Sequence, residues 1–545
     1  TPAPWSSDQD IIQTIELPVG LTSIGAYAFS ELSNLKNITI PTKVTSIGYS
    51  AFSKCTSLQT IKIPPQVTSL DLSLFYGCTN LLSVEVHDNI NSMGGEVFYE
   101  CSNLQEFTLP PKVTTIEMYT FYKCTNLQLT IHNSVTTIKK SAFNGCQTIT
   151  NFTLPPKVTR IESGTYFECT KLALFVIHDD VTYVGATSFS YCRSLLNFTF
   201  PKKVTNIESG TFYGCYKVSL DIHDNINSYG DDSFAYCYNI TNFTIHSNVT
   251  EIPKSLFHGC VNLNPIVIHD NIVSIGDSAF RECHSLINFT LPPKVTHVST
   301  SLFSGCISLH SIEIHDNVTS FGTHVFYTCI SLPNFTIPPK VTQITTSLFG
   351  KCSNLSSIVI HDNVTSIGNS AFRECKSLPN FTVPPKVTQL PEKVFYGYSN
   401  LSFFDIHDNV TSIGRFTFYE CTSLPNFTIP SKMIYIYEGV FYGCSSLSSI
   451  VTHDNLRSFG LSVFYGCSSL PNFTIPPKVT SIPESLFKEC TNLTSIEIHD
   501  NMRLIGKAAF QGCISLLHFK FPPKITSFSE YVLYQCSSLL SIEIA

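Results

Sequence analysis

Apolar and polar positions follow one another along the chain in a fixed order. Residues 335–372 show it. Phe335-Thr336-Ile337 sets two apolar side chains either side of an outward threonine, Pro338-Pro339-Lys340 turns the chain, and Val341-Thr342, Leu348-Phe349 and Cys352 complete the unit. The next unit repeats it with Ile358-Val359-Ile360, His361-Asp362-Asn363, Val364-Thr365, Ala371-Phe372 and Cys375, and the two cysteines are 23 residues apart. The apolar-x-apolar triplet predicts a short strand with one buried face. The Phe and Cys at i and i+3 predict a single turn of helix facing the same core. A unit this small cannot offset its own ordering entropy. Such units stack and share their interior, and a period of this size predicts a solenoid.

The apolar pairs recur 24 times, from Ile15/Leu17 to Ile542/Ile544. The expected fold class is therefore an α/β solenoid, a right-handed superhelix of about 23–24 rungs with a parallel β-sheet on its concave face. One continuous repeat domain is expected over residues 11–545, after a non-repeat segment at 1–10 that holds Trp5. The chain stops inside a unit, which reads as a piece of a longer protein. Two units are a residue short, between Cys124 and Cys146 and between Cys215 and Cys237. Both losses fall just before the strand, so a local bulge with retained register is expected.

A second period overlies the first. Turns alternate between Pro-Pro-Lys (110–112, 292–294, 476–478) and His-Asp-Asn (87–89, 269–271, 499–501), giving a true repeat of two rungs, about 46 residues. His246-Ser247-Asn248 stands where a proline turn is due. Alternation spaces like charges by about 10 Å instead of about 5 Å, beyond a Debye length of about 8 Å. It is expected to set each Lys diagonally against an Asp.

Composition narrows the function classes. With 43% hydrophobic and 13% charged residues the chain is too apolar for disorder. A net charge of -7 lacks the basic face that nucleic acid requires. No apolar run is long enough to span a membrane, so direct membrane insertion is not expected. All 21 cysteines occupy one slot of the unit, and Tyr398 fills the slot that lacks one. No C-x-x-C pair exists to suggest zinc or thiol redox chemistry. Cβ vectors in a ladder run parallel and do not converge as a disulfide needs. Cys283, Cys306, Cys329, Cys352 and Cys375 are thus read as a free, buried structural ladder.

Histidine beside aspartate raises catalysis or metal binding, but the trio is copied along an edge about every 10 Å, too far apart to share an ion. A catalytic site gathers unlike residues in one cleft. The turns are read as structural, with a pH-sensitive stripe as the alternative. No catalytic residue, metal site or cofactor is expected. The outward mid-strand column is the candidate binding face: Thr108, Thr153, Thr199, Thr244, Thr290, Glu313, Thr336, Thr382, Asp405, Thr428 and Thr474. Two residues before many of these threonines stands an asparagine on the same face. Asn37, Asn151, Asn197, Asn242, Asn288, Asn334, Asn380, Asn426 and Asn472 are candidate N-glycosylation sites. Further sequons include Asn248, Asn317, Asn363 and Asn409. The alternative is that Asn and Thr are exposed residues multiplied by duplication.

The run Ile38-Thr39-Ile40-Pro41-Thr42-Lys43-Val44-Thr45-Ser46-Ile47-Gly48-Tyr49-Ser50-Ala51-Phe52-Ser53-Lys54-Cys55 resembles the BspA-like leucine-rich repeat, the 23-residue Treponema pallidum type. The resemblance extends from about residue 11 to 545. It implies a cell-surface or secreted adhesion protein whose partners are host or extracellular-matrix proteins or cell-surface glycans. The alternative is a cytoplasmic scaffold for protein–protein interaction, which unpaired thiols would suit. Neither ligand nor oligomeric state is legible.

Overall fold

The structure, a computed structural model, describes residues 11–544; the expected non-repeat segment 1–10 and Ala545 lie outside them. It contains 46 strands of two to four residues and, among the described residues, no helix. The chain divides into two compact units, residues 1–272 and 273–545, each built of stacked coils.

Each rung but the last two carries two strands. In the second unit Asn334–Thr336 is followed by Gln343–Ile344, and in the next rung Ser357–Val359 by Ser366–Ile367. Pairing is parallel and in register, Phe335 against Ile358 and Ile344 against Ile367. Side chains alternate as the strand period requires, so Phe335 is buried between exposed Asn334 and Thr336. The two short units keep this register, Leu129 facing Phe107 and Leu220 facing Phe198. The missing residue is lost from the connector after Cys124 and Cys215 and produces no bulge in the strand.

The helical turn expected at Phe and Cys is not formed. Residues 48–55 instead make overlapping β-turns: in the first and last of them Ala51 N–H donates to the Gly48 carbonyl (3.3 Å) and Cys55 N–H to that of Phe52 (3.3 Å). Their third residues, Ser50 and Lys54, have φ of 53° and 58°. Intervening amides reach the following rung, Ser50 N–H to the Leu72 carbonyl (2.9 Å) and Phe52 N–H to that of Leu74 (3.1 Å). A helix would turn all these amides along its own axis and leave the neighbouring coil without them. Here odd-numbered amides close turns and even-numbered ones join rungs, so each buried amide from Ser50 to Cys55 is satisfied.

Inside, one phenylalanine per rung stacks on the next. In the first unit Phe52, Phe75, Phe98 and Phe121 have ring centroids 5.5 to 5.8 Å apart. Phe326, Phe349, Phe372 and Phe395 in the second unit lie at 5.5 to 5.9 Å. Each fully buried ring is worth about 1.5–3 kcal/mol of transfer free energy.

The two-rung period has a hydrogen-bonding basis. From residue 60 to 497 the ladders of the first-strand face join each proline rung to the histidine rung after it, as at 288–290 with 311–313, 334–336 with 357–359 and 380–382 with 403–405. The sheet is thereby cut into two-stranded pieces, save for one four-stranded run in the first unit. His246-Ser247-Asn248 preserves the scheme, since Phe243 pairs Ile266 as a proline rung would.

Candidate functional site

The candidate face is the row of side chains that the first strands turn away from the core. Thr108, Thr153, Thr199 and Thr244 are all exposed in the first unit. In the second, Thr290, Thr336, Thr382, Thr428 and Thr474 are exposed, as are Glu313 and Asp405. Register brings Thr290 opposite Glu313, Thr336 opposite Val359 and Thr382 opposite Asp405. The Thr290 hydroxyl donates to the Glu313 carboxylate (3.1 Å), and Thr474 to that of Glu497 (3.0 Å). Asn151 and Asn197 in the first unit, and Asn288, Asn334, Asn380, Asn426 and Asn472 in the second, begin three-residue strands and are exposed. Asn37 and Asn242 are exposed as well.

The histidine turns form the edge beside this face, and the backbone occupies both nitrogens of most rings. His361 Nε2–H donates to the Pro338 carbonyl (2.8 Å) and Nδ1 accepts from Asn363 N–H (3.2 Å). His87, His132, His223, His315, His453 and His499 repeat the arrangement. The partners dictate the tautomer: a carbonyl can only accept and an amide N–H only donate. No ring nitrogen is left for a metal or a reacting group in these turns. The proline rung is also what supplies the carbonyl, so the alternation is an interlock.

The expected Lys–Asp diagonal is corrected by the geometry. The lysine of the proline turn meets the third residue of the preceding histidine turn, which is usually asparagine. Lys340, Lys386, Lys432, Lys478 and Lys524 donate to Asn317, Asn363, Asn409, Asn455 and Asn501 at 2.7–3.2 Å. Lys203 reaches a carboxylate (2.7 Å) because Asp180 takes that third place. The Asp in the second place has other partners: Asp408 accepts from Ser431 N–H (3.0 Å).

All 21 cysteines are free, and only Cys536 is less than fully buried. The thiols point at the carbonyl of the preceding rung's core aromatic residue, a tyrosine for Cys192 and otherwise phenylalanine; Cys352 donates to Phe326 at 3.0 Å and Cys375 to Phe349 at 3.1 Å. Cys306 and Cys329 do the same, and Cys283 is buried in the same slot. Burial pushes the Cys352 thiol up to about 12, so almost no thiolate is present to react. Tyr398 occupies this slot with a buried hydroxyl that finds no partner.

Among the described residues no three His, Cys, Asp or Glu side chains are grouped to hold a metal ion. No helix there is long and apolar enough to cross a membrane. A depression of about 670 Å³ in the second unit lies along the second strands between Thr365, Gln389, Pro391, Arg415 and Tyr437. It is open and holds no nucleophile beside a base.

The sequence reading missed the positive-φ turns. Their signal was present: glycine precedes the cysteine at Gly77, Gly145, Gly214, Gly259 and Gly305, with φ from 70° to 79°. It also missed the glycine after the second strand of the histidine rungs. A Cβ on Gly368 would lie 2.4 Å from Thr346 N, and one on Gly414 would lie 2.6 Å from Glu392 N.

Stacked coils with short parallel strands, one buried Phe–Cys spine and an exposed ladder of side chains define a leucine-rich repeat protein. The chain belongs to the BspA type leucine rich repeat family, whose model matches residues 7–128, 127–241, 163–283, 227–356, 342–470 and 458–545. A leucine-rich repeat protein from Bacteroides ovatus is 26% identical, with a TM-score of 0.58 over 64% of this chain and 92% of that one. The leucine-rich repeat protein of T. pallidum is 23% identical, covering 44% of this chain and 81% of that one, with a TM-score of 0.20. A leucine rich cell surface protein from Faecalibacterium prausnitzii is 22% identical over 89% and 86% of the two chains, with a TM-score of 0.21. None of the curated proteins matches the chain.

Proposed function

We propose that the chain is a non-catalytic recognition protein, displayed at a cell surface or secreted, that adheres to host or matrix proteins or to cell-surface glycans. The observation that carries this reading is the exposed ladder itself. Side chains from successive rungs stand in register on a backbone fixed by two sets of inter-rung hydrogen bonds. Such a surface offers many weak contacts that add along its length. Family membership supports an interaction role.

Free thiols do not favour a cytoplasmic scaffold once their environment is considered. Every sulfur but one is fully buried, which protects it from oxidants in any compartment. The sequons at the turn edge, Asn317, Asn363 and Asn409, are exposed beside the strand face and suit glycan attachment on a secretory route.

Two measurements test the reading. Intact mass of natively produced protein, before and after glycosidase, should fall by whole glycans, and labelled protein should bind intact host cells. Thr336→Arg with Thr382→Arg should abolish that binding without lowering the melting temperature. An unmodified protein confined to the cytosol, or cell binding indifferent to these substitutions, would sink it.

A further inference from the structure

On the strand face of the second unit every proline rung presents threonine, while the histidine rungs alternate between acid and valine. The order is Glu313, Val359, Asp405, Val451, Glu497. Val359 and Val451 are 55% and 54% exposed, so a full β-branched side chain stands in solvent on every fourth rung. Glu313, Asp405 and Glu497 have no lysine or arginine within ion-pair distance; their register partners are threonines. The end of the unit differs. There Lys520 replaces threonine and neutralises Glu543 (3.2 Å). Beside Asp405 the usual serine is replaced by Phe403, 56% exposed and in register with Asn380. A depression of about 530 Å³, lined by Thr290, Glu313, Ile314, His315 and Thr336, opens beside the first acid.

We infer that this face docks a polyproline II segment in which basic and apolar residues alternate at every third position. The inference rests on the recognition reading above and names its partner. Adjacent strands are about 4.8 Å apart, so successive histidine rungs present a contact about every 9.6 Å. A polyproline II helix advances about 9.3 Å per three-residue turn and returns the same face each time. Residues i, i+3 and i+6 of such a segment therefore meet valine, acid and valine in turn. An extended β-chain does not fit, because residues i and i+3 point to opposite sides. An α-helix brings the same face round after seven residues, about 10.5 Å, and runs out of step by about 1 Å per contact. Exposed aromatic rings are what polyproline II ligands commonly rest on, and Phe403 offers one at the centre of the row. Uncompensated carboxylates fix the charge of the ligand as cationic, and the hydroxyls of Thr290 and Thr474 hold two of them in place.

The test uses the full chain and a synthetic 30-residue peptide of repeating Leu-Pro-Pro-Lys-Pro-Pro, followed by fluorescence anisotropy at two salt concentrations. Binding should weaken with salt. It should fall at least tenfold in the triple variant Glu313→Gln, Asp405→Asn, Glu497→Gln, and severalfold in Phe403→Ser. A control peptide with the lysine at every fifth residue should bind at least tenfold more weakly than the six-residue repeat. These positions are exposed, and an unchanged melting temperature shows that each variant is folded. Equal affinity of the triple variant, equal affinity of the two peptides, or glycans on Asn334, Asn380 and Asn426 filling the column would each overturn the inference. Cell binding that is lost in Thr336→Arg with Thr382→Arg, yet kept in the triple variant, would overturn it while leaving the recognition role intact.

Discussion

The proline rungs and the histidine rungs share one coil but divide its tasks. A proline rung buries its strand: Phe335 is 5% and Ile337 2% exposed, and Pro338 is buried behind them. A histidine rung leaves its strand half-buried at Ile358 and Ile360, and makes up the difference with hydrogen bonds from His361 and a close approach at Gly368. Both share the buried spine, but the first strand of one kind of rung is held by apolar area and that of the other adds polar contacts to the rung before it. A row of identical coils would need each turn to supply both the carbonyl and the donor. Alternation gives each turn one role, and it leaves the strand face free to vary on the histidine rungs.

The comparison breaks most sharply at glycine. Gly368→Ala should cost about 3 kcal/mol, as forced overpacking does, because the new methyl meets the Thr346 backbone and not a movable side chain. The matching position of a proline rung already carries Pro391, and Pro391→Ala should cost under about 1 kcal/mol. Thermal or urea unfolding of the pair checks the asymmetry; equal losses would mean that the two rung types are not distinct. Next, His361→Ala removes two hydrogen bonds at a half-buried turn and should cost about 1–2 kcal/mol, whereas Lys340→Ala on the wet proline turn should cost under about 0.5 kcal/mol.

The departure at His246 sharpens the contrast through pH. Burial holds this ring below the ordinary histidine range, although the Asp224 carboxylate at 3.3 Å pulls the other way and His223 and His269 add to the lowering. The unfolded chain therefore takes up the proton first, near pH 6.5. Stability from this group is complete above that pH and is lost as pH falls toward the folded value. His246→Asn should flatten the acid side of the stability curve measured by urea titration between pH 5 and 7.5, and an unchanged slope would assign the dependence elsewhere. An effect of opposite sign belongs to the turns common to both rungs. Lys351 has φ of 63°, so Lys351→Gly should stabilise by about 0.5–1 kcal/mol, visible as a rise in melting temperature.

Much of the molecule is legible in its sequence. The Phe335-Thr336-Ile337 triplet determined which side chains go in and which go out, because strand geometry allows only one alternation. The 23-residue spacing of Cys352 and Cys375 determined stacking. The Pro-Pro-Lys and His-Asp-Asn turns announced a two-rung repeat. Three matters were decided only in the tertiary structure. Phe and Cys at i and i+3 suit a helical turn and a pair of β-turns equally well, and the choice fell to the turns because they release amides to the neighbouring coil. Lys386 meets Asn363 and not Asp362 because turn geometry, not charge order, sets which atom comes within reach. The histidine was legible as a turn residue, but its partner, a proline carbonyl 23 residues earlier, was not. Local sequence fixes local conformation, whereas the contacts between coils depend on how two already folded rungs are placed against each other.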